Sequence, residues 1–168
     1  MDNLDPNETT LKLSYNNISD ITPLSNLINL RYLELTYNNI SDISPLSNLI
    51  NLHYLDLSNN NITDISTLKN LTNLRTLYLN NNNISDITPL SNLINLQELD
   101  LYNNNISDIS SLSNLTNLRF LYLECNPITE IPNLTCNIRM SYYPFLYKNH
   151  PMNSIPLDQL DSEMINII

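Results

Sequence analysis

The phrase Leu-x-Leu-x-x-Asn-x-Ile-x-Asp-Ile begins at Leu11 and returns at Leu33, Leu55, Leu77 and Leu99, each start 22 residues after the last. An altered sixth copy, Leu-Tyr-Leu-Glu-Cys-Asn-Pro-Ile-Thr-Glu-Ile, begins at Leu121. A strict short period of this kind restricts the chain more than any other feature. One 22-residue unit cannot bury its own apolar side, so units must stack and share a continuous core. The expected fold is an α/β-type solenoid, mostly β with short 3₁₀ turns, of about six repeats.

The path of one unit follows from its residues. Leu33 and Leu35 are two apart and share a face of a strand. Asn38 comes where the chain turns, and its carboxamide can satisfy backbone groups that the turn leaves unpaired. Stacking places Asn16, Asn38, Asn60, Asn82, Asn104 and Asn126 in one buried ladder, with Ile40, Ile43, Leu46, Leu49 and Leu52 pointing inward as the coil closes. The pairs Thr22-Pro23, Ser44-Pro45 and Thr88-Pro89 read as an N-cap followed by proline at the first helical position. The segment behind each is short, which favours a single 3₁₀ turn. The chain has no Gly. Its left-handed turn positions therefore fall to Asn, the next most tolerant residue, and Asn16-Asn17, Asn59 to Asn61 and Asn80 to Asn83 are read as turns. Ala, Val and Trp are missing too, while Asn, Leu, Ile and Ser dominate, a bias typical of AT-rich coding.

Over residues 11–134 these repeats resemble the leucine-rich repeat family, in its 22-residue class of internalin repeat domains and the regulatory subunit of protein phosphatase 1. The resemblance implies an arc whose concave face is lined by a parallel sheet, and a protein that binds other proteins on that face. Residues 1–10 are expected to form a thin N-terminal cap, with Leu4 over the first coil. Residues 135–168, with Tyr142, Tyr143, Phe145 and Tyr147, are expected to form a C-terminal cap. Asn126-Pro127-Ile128 and the later Ile155 to Asp161 resemble the cap of intracellular members, which implies a helix and a final strand.

Charge and cysteine content narrow the function. A net charge of −10 makes nucleic acid and anionic membranes poor partners. No apolar run is long enough to span a bilayer, and the acidic start Met1 to Asp5 does not read as a secretory leader. Two cysteines, Cys125 and Cys136, make no disulfide framework, so a reducing, cytoplasmic setting is expected; whether the two pair is open.

Functional candidates are the positions that vary between otherwise uniform units. Aligned, they give Arg31, His53, Arg75, Gln97 and Arg119 in one column and Tyr32, Tyr54, Thr76, Glu98 and Phe120 in the next. Between the leucines lie Lys12, Glu34, Asp56, Tyr78, Asp100 and Tyr122, and beyond them Ser14, Thr36, Ser58, Asn80, Tyr102 and Glu124. Tyr and Arg are enriched at interaction hot spots. The competing reading is that tyrosines stack, and arginines pair with acids, only to hold the sheet. On the binding reading, Tyr54, Tyr78, Tyr102 and Tyr122 with Phe120 form a diagonal aromatic patch suited to a peptide or domain carrying Arg or Lys.

A second column, Asp20, Asp42, Asp64, Asp86 and Asp108 with Glu130, is expected to lock its own turns. A calcium stripe would need six to eight converging oxygens. No nucleophile lies near His53 or His150, and no Gly-rich loop is available to cradle phosphate, so no catalytic site, metal or cofactor is expected. The expected function is a monomeric, non-enzymatic module that binds a protein or peptide. A regulatory subunit of a phosphatase or other enzyme, and a component of a larger particle, are the alternatives.

Overall fold

The computed structural model describes residues 4–128, residue 132 and the backbone of Arg139–Ser141. Seven short strands lie side by side in sequence order: β1 Thr10–Lys12, β2 Tyr32–Glu34, β3 Tyr54–Asp56, β4 Thr76–Tyr78, β5 Glu98–Asp100, β6 Phe120–Tyr122 and β7 Arg139–Ser141. All neighbours pair in parallel. The register puts Leu11, Leu33, Leu55, Leu77, Leu99 and Leu121 in one row. The seventh strand was not foreseen as one; it continues the row with Met140, 19 residues after Leu121. The Cys125–Cys136 question and the rest of the expected C-terminal cap lie outside the described residues.

The leucines and isoleucines of the repeat turn inward, apart from the exposed column of Ile28, Ile50 and Ile94. Leu33, Leu35, Ile40, Leu46, Leu49 and Leu52 are wholly buried, and the equivalent residues of the next units join them in one core. Burial of that area drives the stacking, at roughly 25 cal/mol per Å² of apolar surface. The first coil is less covered. Leu11, Leu13 and Ile18 are half-buried there, and with Leu4 they pack against the core.

The asparagine ladder forms in five of its six expected rungs. Asn38, Asn60, Asn82, Asn104 and Asn126 are buried. Asn60 shows the pattern. Its Nδ2 donates to Leu35 O in the preceding coil (3.0 Å) and to Leu57 O in its own (3.1 Å), while its Oδ1 accepts the Ile40 N–H (3.0 Å). One side chain thus ties two coils at a turn where neither has a strand partner. Asn16, in the first described coil, differs: it is exposed and its Nδ2 donates to Ser14 O at 2.8 Å.

A 3₁₀ turn closes each coil: Thr22–Leu24, Ser44–Leu46, Ser66–Asn70, Thr88–Asn92 and Ser110–Asn114. The capping group is not the Ser or Thr, which is itself the first helical residue. It is the aspartate two places earlier. Asp20, Asp42, Asp64, Asp86 and Asp108 accept the N–H of Thr22, Ser44, Ser66, Thr88 and Ser110 at 2.8 to 2.9 Å. These bonds offset the repulsion along the acidic column.

The left-handed positions correct the expectation that Asn fills them. Asn59, Asn81 and Asn103 do so, but the same place in other coils holds Tyr15 (φ 61°), Tyr37 (φ 54°) and Cys125 (φ 57°). Cys125 is half-buried.

A second asparagine ladder runs along the outside. Asn51, Asn73, Asn95 and Asn117 each donate Nδ2 to the carbonyl 23 residues back, Ile28, Ile50, Thr72 and Ile94, at 2.8 to 2.9 Å. Asn29 makes the equivalent bond to Pro6 O at 3.2 Å, which fastens the N-terminal residues to the first coil.

Candidate binding surface on the parallel sheet

Each strand residue flanking a buried leucine points away from the core, because side chains alternate. The parallel register then aligns these residues across the rungs. Tyr32 lies opposite Tyr54, and Asp56 opposite Tyr78, which lies opposite Asp100, itself opposite Tyr122. Among the described residues no element covers this face.

Ring contacts run along the first three of these rungs. Tyr32 and Tyr54 stack with centroids 4.1 Å apart and planes 7° from parallel. Tyr54 meets Tyr78 edge to face at 5.6 Å. Such pairs contribute about 0.5–1.5 kcal/mol each beyond their burial. The expected diagonal is therefore only partly assembled. Tyr102 and Phe120 are exposed and, like Tyr122, make no ring contact among the described residues. The Cys125 thiol beside the Tyr102 hydroxyl pushes that phenol's pKa up.

The tyrosine hydroxyls bind carboxylates on the same face. Tyr78 donates to Glu98 Oε1 at 2.8 Å, and Tyr32 donates to Glu34. Glu34 also pairs with Lys12 at 3.1 Å, and the Lys12 ammonium stands 5.0 Å from the centre of the Tyr32 ring. The Tyr32 hydrogen bond, helped by Lys12, lowers the Glu34 pKa. Burial raises the Tyr54 and Tyr78 phenols. Asp56 accepts from the Ser58 hydroxyl at 2.6 Å.

Asp100 and Glu124 are in the opposite state to Glu34. Burial raises both pKa values, and neighbouring carboxylates add to the shift: Asp56 and Glu98 at Asp100, Asp100 at Glu124.

Two shallow depressions lie on the face and at its margin. One, of about 330 Å³, lies along the residues that precede the strands and is lined by His53, Arg75 and Gln97 with Asn73, Asn95 and Asn117. His53 Nδ1 is 2.7 Å from Asn51 O, so that nitrogen carries a proton. The other, of about 460 Å³, is lined by Asp56, Glu98 and Asp100 with Tyr15, Tyr37, Tyr78, Tyr122 and neighbouring polar residues. No carboxylate lines the first and no basic residue the second.

Summing charge over the face conceals this division. Lys12–Glu34 is its ion pair among the described residues, and Arg31, Arg75 and Arg119 stand exposed without a carboxylate partner. The sequence reading also missed Tyr15 and Tyr37. They stack at 4.5 Å with planes 12° apart and are 71% and 50% exposed. Their signal was a column, 15, 37, 59, 81, 103, where two units carry Tyr and three carry Asn. No group of three or more His, Cys, Asp or Glu among the described residues is arranged to hold a metal ion. No described helix is long and apolar enough to cross a membrane.

Comparison with known proteins agrees with the coil geometry. A family model described as leucine rich repeats (2 copies) matches residues 9–48, 50–92 and 94–136. Internalin C2 of Listeria monocytogenes is similar at 38% identity and a TM-score of 0.73, over 79% of this chain and 60% of that one. An internalin (inlF) from the same organism gives 39% identity and a TM-score of 0.63, over 80% and 46%. The Leptospira interrogans LRR protein LIC12759 gives 30% and 0.74, over 81% and 37%. The chain thus spans about three fifths or less of each of these structures. Among curated protein sequences none matches.

Proposed function

The chain belongs to the leucine-rich repeat family, whose domains generally act in protein–protein interaction, and from that premise we propose a non-enzymatic module that binds a protein or peptide on the exposed face of its sheet. One observation carries the reading. The positions that differ between units, Tyr32, Tyr54, Asp56, Tyr78, Asp100 and Tyr122 among them, stand together on that face, while the uniform positions are spent on the core and the two ladders. An exposed shelf of tyrosine and arginine supplies large contact area with few rotatable bonds.

The face is open and shallow, which suits a macromolecular contact better than the enclosed, dry pocket that catalysis of a small substrate needs. A partner recovered by pull-down from the source cell supplies the test. Tyr78→Ala is expected to weaken its binding by about 2 kcal/mol, roughly thirtyfold. Lys69→Ala, on an exposed residue of the Ser66–Asn70 turn, is expected to leave it unchanged. Normal binding by Tyr78→Ala together with loss in Lys69→Ala would move the working surface to the other side of the coil.

A further inference from the structure

The two depressions carry opposite charge, one on the sheet face and one at its margin, and among the described residues neither charge meets an opposite one. Arg75, between His53 and Gln97, has no acid beside it. Asp56, Glu98 and Asp100 share a trough with Tyr78 and Tyr122 and no base. The basic column precedes the acidic one by three residues, as Gln97 precedes Asp100, a separation of at most about 10 Å in an extended chain. A uniformly basic partner would meet the arginine margin, and a uniformly acidic one the trough. Only a partner with both signs at that separation is complementary at each end.

We infer that the face recognises an extended protein segment bearing one acidic side chain and, three or four residues away, an arginine or lysine. The acid seats over Arg75, and the base enters the trough against Tyr78 and Asp100. This deepens the proposed binding function and rests on it. A residue in an extended chain advances about 3.3 Å, so a spacing of three or four matches the gap. The segment lies along the strands, across the solenoid and not lengthwise. Tyrosine ring faces attract a cation, and bidentate Arg–carboxylate geometry favours an acid at the other end. The free trough keeps a half-buried Asp100 beside Asp56 and Glu98, a repulsion that an incoming cation relieves.

A random dodecamer peptide library displayed on phage, selected against the intact chain, tests this. The expected result is enrichment of sequences with Asp or Glu three or four places from Arg or Lys. Synthetic copies of the winners should bind Arg75→Glu and Asp100→Asn at least tenfold more weakly. Both variants are first compared with the parent by thermal melting. Arg75 is exposed, and an amide at 100 can still accept the Tyr102 N–H, a bond of 2.9 Å. Winners without a fixed acid–base spacing that still lose binding to Tyr78→Ala would overturn the charge rule and leave the sheet-face reading standing. Winners indifferent to Tyr78→Ala would overturn both. A library from which nothing is enriched would overturn the inference that a short segment suffices.

Discussion

Asn60 and Asn61 are adjacent and identical, yet only one is structural. Asn60 makes hydrogen bonds to two coils through both ends of its carboxamide. Asn61 is exposed, and it is its backbone N–H that bonds Ile40 O, at 2.8 Å. Truncating Asn60 to Ala leaves buried backbone groups without partners and is expected to cost about 1–3 kcal/mol in urea unfolding. Asn61→Ala should cost well under half of that. The ladder was legible because a polar residue held constant among leucines must satisfy something buried. The outer ladder was not, since a constant but exposed residue fits neither the search for core nor the search for variation. Tyr15 and Tyr37 escaped because every left-handed turn was assigned to Asn. A bulky residue at positive φ costs on the order of 1 kcal/mol, and their mutual stacking offsets about that much.

At the level of the coil, the aspartate cap and the trough carboxylate respond to acid in opposite senses. Hydrogen bonds from Thr22, Ser44, Ser66 and Ser110 lower the pKa values of Asp20, Asp42, Asp64 and Asp108 below the ordinary 3.8. Their contribution is present above the unfolded pKa and is lost as pH falls through the lowered folded value. Asp100 is raised, so its stabilising contribution is complete below the unfolded pKa and is lost as pH rises through the folded one. Asp100→Asn is accordingly expected to raise the urea midpoint at pH 7, with the gain shrinking as pH falls into the carboxylate range. A gain that persists unchanged at pH 3 would exclude this cause. The same turns predict indifference to calcium: each Asp already accepts its own N–H, so millimolar calcium should leave the melting temperature unshifted. A rise of several degrees that vanishes in Asp64→Asn would show metal binding instead. The turn itself was legible from the short segment behind Ser-Pro. Its cap was placed two residues late, because Ser or Thr before Pro reads as an N-cap and the constant Asp was assigned only to its own turn.

Over the whole molecule, stability is set by stacking between neighbouring coils, so position along the solenoid matters more than residue type. Leu55 is wholly buried between two coils, whereas Leu11, the same residue of the repeat, is half-buried at the first. Leu55→Ala is expected to cost about 2–5 kcal/mol and Leu11→Ala about 1 kcal/mol, read from denaturant melts. Equal losses would mean that the first coil is as well covered as the third. The architecture of the first six rungs was legible in the repeat because period, apolar columns and Asn all point to one fold. The division of charge across the face was not, since it depends on where along each strand an Arg or Asp falls once the rungs are aligned, and a sum over columns erases it.

The ladder bonds carry one more consequence. They join residues 20, 23 or 25 apart, and every partner recurs in the next unit. Removal or duplication of any interior 22-residue block by misaligned recombination therefore re-forms each bond with an equivalent donor and acceptor. Near-identical units supply the misalignment. The gene can change the length of the solenoid in whole steps without passing through an unfolded product, and each step adds or removes one row of the face. Descendants of such a gene would inherit different reach across a partner while keeping the same coil.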